Sequence, residues 1–298
     1  MNLPIMQELL TNPAVQAAVA PFTVALVSAL LLRRFLPGGI GLAVIGGFFI
    51  TVLLTTGLTL QPLTATRKII VCGLVLPFAL LLLDFIAEMP QSAGLKRAFW
   101  TLPALLLAAA ALWIIWPVVQ RQEGMAIWMM AVPVMLYAAV IISGVAALGR
   151  VQKQAFSAQA ASALMLAMGT GATTLIAASA LYSQLAFAVS AATGAVIVVG
   201  LLGSAEKPAK LGMLTMYAAA VPVTLFAAAA TVYAQLPVLV LLCLALVPLF
   251  AGLLLCKPLK LIKSQQRWLA LIIASLWVSI PVLPAVWLVW QVAGPVSF

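Results

Sequence analysis

Two long segments of this chain, residues 154–205 and 211–256, contain no Asp, Glu, Lys or Arg. Each is longer than one membrane-spanning helix needs, since about 20 apolar residues cross about 30 Å of hydrocarbon. Hydrophobic residues make up 66% of the 298 positions and charged residues 7%, against about 45–50% and about 25% in soluble domains. The sequence therefore predicts an all-α, polytopic integral membrane protein, with residues 1–298 forming a single membrane domain.

Charges, Pro/Gly pairs and polar clusters divide the sequence into ten apolar runs, each predicted to be a transmembrane helix. The runs are residues 13–32, 39–60, 69–89, 98–118, 125–148, 156–180, 185–203, 211–234, 237–255 and 268–291. Two breaks depend on uncharged turns, LYSQL at 181–185 and QLP at 235–237. Without these two turns the count is nine or eight.

The cations are distributed unequally between the loops that follow odd-numbered and even-numbered helices. The odd-numbered loops hold Arg33, Arg34, Lys96, Arg97, Arg150, Lys153, Lys207, Lys210, Lys257, Lys260, Lys263 and Arg267; the even-numbered loops hold Arg67, Lys68 and Arg121. Loops rich in Lys and Arg stay on the cytoplasmic side of a membrane. We therefore expect a bacterial-type inner membrane protein with both termini on the outer, periplasmic side.

Ten helices can divide into two halves of five, residues 13–148 and 156–291, which would have opposite orientations. This is the inverted-repeat plan of many carriers. In each half the last three helices contain prolines and the first two almost none, which favours a repeat with broken helices. These prolines are Pro77, Pro103, Pro117 and Pro133 in the first half and Pro222, Pro237, Pro248, Pro281 and Pro284 in the second. The alternative is that proline is simply commoner in membrane helices.

Most kinds of catalytic site are missing from the sequence. There is no histidine, the three cysteines are not spaced like a metal site, and no phosphate-binding loop is present. The net charge of +10 comes from scattered cations rather than one basic face, so nucleic acid is not an expected partner. We predict no catalytic residue, metal or cofactor, and the protein is not expected to be an enzyme.

The stretch ALLLLDFIAEMP, residues 79–90, carries two of the five acidic residues. Glu88 is predicted at the cytoplasmic membrane boundary, where a solvated helix end accounts for it. Asp84 lies one turn deeper, and an acidic residue inside a span indicates function by default. Asp84 is therefore a candidate pathway or coupling residue. The alternative is an ion pair, with Asp84 and Glu88 neutralised by Lys96 and Arg97 at the start of the next helix.

The segment GTGATT, residues 169–174, places small and hydroxyl-bearing residues near the middle of the sixth helix. The candidate pathway residues here are Gly169, Thr170, Gly171, Thr173 and Thr174. The alternative is close helix packing, because small residues let membrane helices approach one another.

These features favour a secondary transporter, a permease that moves a small solute through a midplane site between two five-helix halves. The alternatives are a non-catalytic scaffold or accessory subunit and, third, an intramembrane enzyme. The expected partners are the lipid bilayer, an unidentified small-molecule substrate and, for a subunit, other membrane proteins. In size and helix number the chain is similar to several carrier classes, including the drug/metabolite transporters. The similarity covers architecture only, and the termini usual in that class face inward.

Overall fold

The computed structural model describes residues 11–57, 61–89, 93–151, 156–202, 211–256 and 266–293, and the regular structure in these ranges is entirely helical. We number the helices α1 (Val15–Phe35, beginning with a π-helical turn), α2 (Leu42–Thr55), α3 (Ala65–Glu88), α4 (Ala93–Val119), α5 (Met125–Arg150), α6 (Phe156–Ile176), α7 (Ala180–Leu201), α8 (Met213–Tyr233), α9 (Val238–Cys256), α10 (Arg267–Val278) and α11 (Val282–Ala293). Every predicted run overlaps one of these helices, and the tenth run overlaps two.

Seven of the described helices are long and apolar enough to cross a membrane, namely α1, α3, α4, α5, α7, α8 and α9. The pair α10–α11 makes an eighth span if it crosses as one bent unit, with an angle of 42°. The bend coincides with Pro281, which lacks the N–H that a continuous helix needs. Helix α2 covers only about 21 Å at 1.5 Å per residue, and α6 is less apolar than the others. The polytopic helical architecture is therefore confirmed, whereas the prediction of ten spans is not.

Helix α8 forms the centre of the molecule. From Leu214 to Ala230 every one of its residues is buried, and α2, α3, α4, α5, α6, α7 and α9 all contact it. Its sequence, YAAAVPVTLFAAAA over residues 217–230, consists largely of alanine. Small side chains allow neighbouring helices to approach closely on every side, so the interior around α8 is tightly packed.

Two of the helix prolines pack against a glycine of a neighbouring helix. A Cβ atom added at Gly73 of α3 would lie 3.3 Å from Cβ of Pro222 in α8. A Cβ atom added at Gly144 of α5 would lie 2.9 Å from Cβ of Pro248 in α9. The absence of a side chain at these glycines therefore makes room for a rigid proline ring.

A third proline leaves a backbone carbonyl without its helical donor, and another helix supplies a replacement. Pro21 follows the π-helical turn of α1, so the carbonyl of Gln16 receives no N–H five residues later. The hydroxyl of Thr51 in α2 donates to that carbonyl at 2.9 Å. Proline thus creates a hydrogen bond between α1 and α2.

The described packing does not support the predicted repeat of two five-helix halves. Helix α1 packs mainly against α2 and α7, whereas its counterpart α6 packs against α7, α8, α9, α10 and α11. The inverted repeat therefore stays a prediction.

Candidate functional site

Three helices bring polar side chains together at one end of the bundle. Asp84 lies one turn before the end of α3, Tyr217 lies one turn after the start of α8, and Arg150 is the last residue of α5. Because α3 and α5 end where α8 begins, the three residues lie at the same level. The surrounding residues are largely apolar, so these polar groups have few partners other than one another.

Both carboxylate oxygens of Asp84 are engaged. Nη2 of Arg150 lies 2.6 Å from Oδ1 and forms a salt bridge, while the hydroxyl of Tyr217 donates to Oδ2. Asp84 is 7% exposed and Tyr217 is fully buried, whereas the Arg150 side chain is 28% exposed. The ring of Trp100 in α4 lies 4.8 Å from Cζ of Arg150. We call Asp84, Arg150 and Tyr217 the Asp84 network.

The Asp84 network adds an electrostatic link between α3, α5 and α8 at this end of the bundle. Hydrogen bonds to a charged group are stronger than neutral ones, and the buried position of Asp84 limits screening by water. The network still contributes little net stability, because desolvation of the two ions offsets much of their attraction. Its contacts would weaken if the carboxylate lost its charge, which makes the network a candidate switch.

Asp84 forms an ion pair with Arg150, a partner that the sequence analysis did not name, while its pairing with Lys96 and Arg97 stays a prediction. Arg150 pairs with Asp84, while the side chains of Lys96 and Arg97 lie outside the described part of the structure. Glu88 is exposed at the last turn of α3, in keeping with its interpretation as a boundary residue. The available signal for Arg150 was its position at a helix end on the cation-rich side.

The candidate residues of α6 lie in a different region from the Asp84 network. The hydroxyls of Thr173 and Thr174 donate to carbonyls of their own helix, at 2.8 Å to Gly169 and 2.7 Å to Thr170. A Cβ atom added at Gly169 would lie 3.0 Å from Val282, and one at Gly171 would lie 2.8 Å from Phe187. Both glycines therefore permit close packing, and both threonine hydroxyls have partners within α6.

Thr170 differs from the other two threonines of α6. Its buried hydroxyl has no hydrogen-bond partner, and neither has the hydroxyl of Tyr137 in α5. The hydroxyls of Thr170 and of Thr224 in α8 lie near that of Tyr137, and the Thr224 hydroxyl donates to the carbonyl of Ala220 at 2.7 Å. Thr224 lies seven residues beyond Tyr217, or about 10 Å along α8. A small hydroxyl cluster, made of Tyr137, Thr170 and Thr224, therefore lies deeper in the bundle than the Asp84 network.

An apolar groove opens between α3 and α4. It has a volume of about 520 Å³ and is lined by Ala79, Leu82, Leu83, Leu102, Leu105 and Leu106. Leu82 and Leu105 are largely exposed, so lipid or an apolar partner can reach the groove. The described residues contain no group of His, Cys, Asp or Glu side chains that could hold a metal ion.

Comparison of the chain with protein-family models, with curated proteins and with solved structures finds no match.

Proposed function

We propose that this protein is a secondary transporter, a permease that moves a small solute across the membrane, and that the Asp84 network closes one end of its pathway. The observation that carries the proposal is a carboxylate buried near the end of α3 and bound by side chains from α5 and α8. Apolar residues often replace a buried ion pair without loss of stability. Stability therefore does not explain why Asp84 and Arg150 are charged. A role in opening and closing one end of the bundle does explain it.

In this proposal, protonation of Asp84 or competition from a charged group of the solute weakens the Arg150 contact. Helices α3, α5 and α8 then separate at that end, because the Asp84 network is the polar contact that joins them there. A solute entering between α5 and α8 next meets the hydroxyl cluster of Tyr137, Thr170 and Thr224. Those hydroxyls suit an uncharged, hydrogen-bonding part of the solute, as in the midplane sites of carriers.

Reconstituted proteoliposomes test this proposal with a pH-sensitive dye trapped inside. Amino acids, sugars, nucleosides and organic cations are added one at a time, and solute-driven proton movement is recorded. We expect one class to drive proton flux through the wild type, and Asp84→Asn to lose most of that flux, because an amide cannot exchange the proton. Glu88→Gln is the matched control, since Glu88 is an exposed carboxylate on the same helix, and its flux should equal that of the wild type.

Equal flux in Asp84→Asn and the wild type would remove Asp84 from the mechanism. The absence of flux for every class would instead favour the second candidate function, an accessory subunit that packs against other membrane proteins. The tightly packed surroundings of α8 and the apolar groove between α3 and α4 support that alternative.

We further propose that the protein lies in a bacterial-type inner membrane with both termini on the outer side. This orientation counts α2 as a short span, the less apolar α6 as a full span and α10–α11 as one broken span. It is supported by the loop cations, twelve of which then face the cytoplasm and three the outside.

A further inference from the structure

A buried lysine lies at the end of α3 opposite Asp84. Lys68 is in the first turn of α3 and only 9% exposed. Its ammonium group donates to the carbonyl of Trp113 in α4 at 3.1 Å and lies 4.6 Å from the centre of the Trp113 ring. Pro117 explains the first contact, because it lacks the N–H that would otherwise bind the Trp113 carbonyl within α4.

Neither contact supplies a negative charge to Lys68. The ion pair of Asp84 with Arg150 is at the other end of the helix, since Asp84 lies sixteen residues from Lys68, or about 24 Å along α3. An ammonium ion has three N–H donors, and the Trp113 carbonyl takes one of them. A buried charge without a counter-charge is costly, and the positive end of the helix dipole in the first turn of α3 adds to that cost.

Two more cations lie at the same corner of the bundle. Arg67 precedes Lys68, and its guanidinium donates to the carbonyl of Pro62 at 2.6 Å. Arg121 follows the end of α4 and acts electrostatically on Tyr233 of α8. The Tyr233 hydroxyl in turn donates to the carbonyl of Ile114 at 3.2 Å, next to the carbonyl that Lys68 binds. Lys68 therefore lies where α3, α4 and α8 meet, at the end of α4 that leads to Arg121.

Arg67, Lys68 and Arg121 are the three cations of the even-numbered loops, whereas the other twelve cations of the sequence lie in the odd-numbered loops. The nearby acidic residue, Glu123, is exposed and forms no described ion pair. A topology signal alone gives no reason to keep Arg67, Lys68 and Arg121 at this end, where positive charges are generally sparse. The half-exposed ring of Trp113 matches the aromatic residues that mark a membrane–water interface.

We propose that Arg67, Lys68 and Arg121, here called the cationic corner, bind a phosphate group. Lys68 provides two N–H donors and a buried charge, while Arg67 and Arg121 add positive charge at the same end of α3 and α4. The phosphate group belongs either to an anionic phospholipid headgroup at this membrane face or to a dissolved phosphate. The site is independent of the transport proposal, because it lies at the opposite end of α3 from the Asp84 network.

Thermal unfolding of the full chain in phosphate-free maltoside micelles tests the site in two arms. One arm adds inorganic phosphate at constant ionic strength, and the other adds phosphatidylglycerol without free phosphate. A ligand that binds only the folded state raises Tm with its concentration. We expect an upward shift of several degrees for the wild type in at least one arm, and the responding arm identifies the source of the phosphate group.

The shift should disappear in Lys68→Met, remain in Lys68→Arg and weaken in Arg121→Gln, each compared with its own ligand-free Tm. Arg34→Gln is the matched control, because Arg34 is an exposed cation at the end of α1, and it should respond like the wild type. If Lys68→Met does not fold, Arg121→Gln and Lys68→Arg still test the site.

No shift in the wild type, or an equal shift in Lys68→Met, would overturn the proposal.

Discussion

At the scale of single residues, Asp84 shows what a lone acidic residue in an apolar run can reveal. Its position within a span identified it as a candidate, and the depth of Glu88 identified that residue as a boundary marker. The partners of Asp84 were not predictable, because they lie 66 and 133 residues away along the chain. Hydropathy does not determine which helices become neighbours, so Arg150 and Tyr217 emerge only from the packing of α5 and α8 against α3.

Removing one charge of the Asp84 network should destabilise the protein more than removing both charges. Arg150→Met leaves a buried carboxylate without its counter-charge, which typically costs about 3–5 kcal/mol. We expect a value near the lower end, because the Arg150 side chain is 28% exposed. The double variant Asp84→Leu with Arg150→Met removes both charges and should recover part of the loss, because the buried Tyr217 hydroxyl then lacks its acceptor. Equilibrium unfolding of the two variants and the wild type in micelles measures the difference. A double variant no more stable than Arg150→Met alone would contradict this account of the ion pair.

At the scale of helices, some glycines and prolines form contacts between helices that their positions along the sequence did not predict. The sequence located the central part of each helix, but it predicted residues 268–291 as one run, which the structure divides into α10 and α11 at Pro281. It did not show that Gly73 and Gly144 receive proline rings from other helices. That contact depends on how two helices are rotated about their axes, which small residues allow but do not specify.

The contact between α5 and α9 can be tested with two glycines of similar, partial burial. Gly144→Ala would place a methyl group 2.9 Å from the rigid ring of Pro248, so the helices must separate, at a typical cost of about 1–3 kcal/mol. Gly252→Ala is the control on α9, where an added Cβ atom meets nothing within 4 Å. There alanine should stabilise the helix by about 0.5–1 kcal/mol. Unfolding measurements should therefore give changes of opposite sign, and the same sign in both would argue against this packing.

At the scale of the whole molecule, the amino-acid composition predicted a helical membrane protein but did not predict which helices form its interior. An apolar run has the same hydropathy whether it faces lipid or protein, so the central position of α8 was not predictable from its hydrophobicity. The alanine-rich sequence of α8 is the signal that could have indicated burial, since small side chains suit contacts on all sides. The same limit applies to α2 and α10–α11, whose runs were long enough in sequence to cross as single straight helices.

Reporter fusions decide whether α10–α11 crosses the membrane as a broken span or re-enters on one side. Fluorescent protein reports a cytoplasmic position and alkaline phosphatase an outer one. With an outward N-terminus and nine crossings up to Cys256, a fusion there should fluoresce and have little phosphatase activity. A fusion after Phe298 should show the reverse, because the bent pair adds one crossing. If both fusions fluoresce, α10–α11 is re-entrant, and the ten-span topology is wrong. If the Cys256 fusion has phosphatase activity, a helix before Cys256 does not cross the membrane. Helix α2 is then the first candidate, because its 14 residues make it the shortest apolar helix before that point.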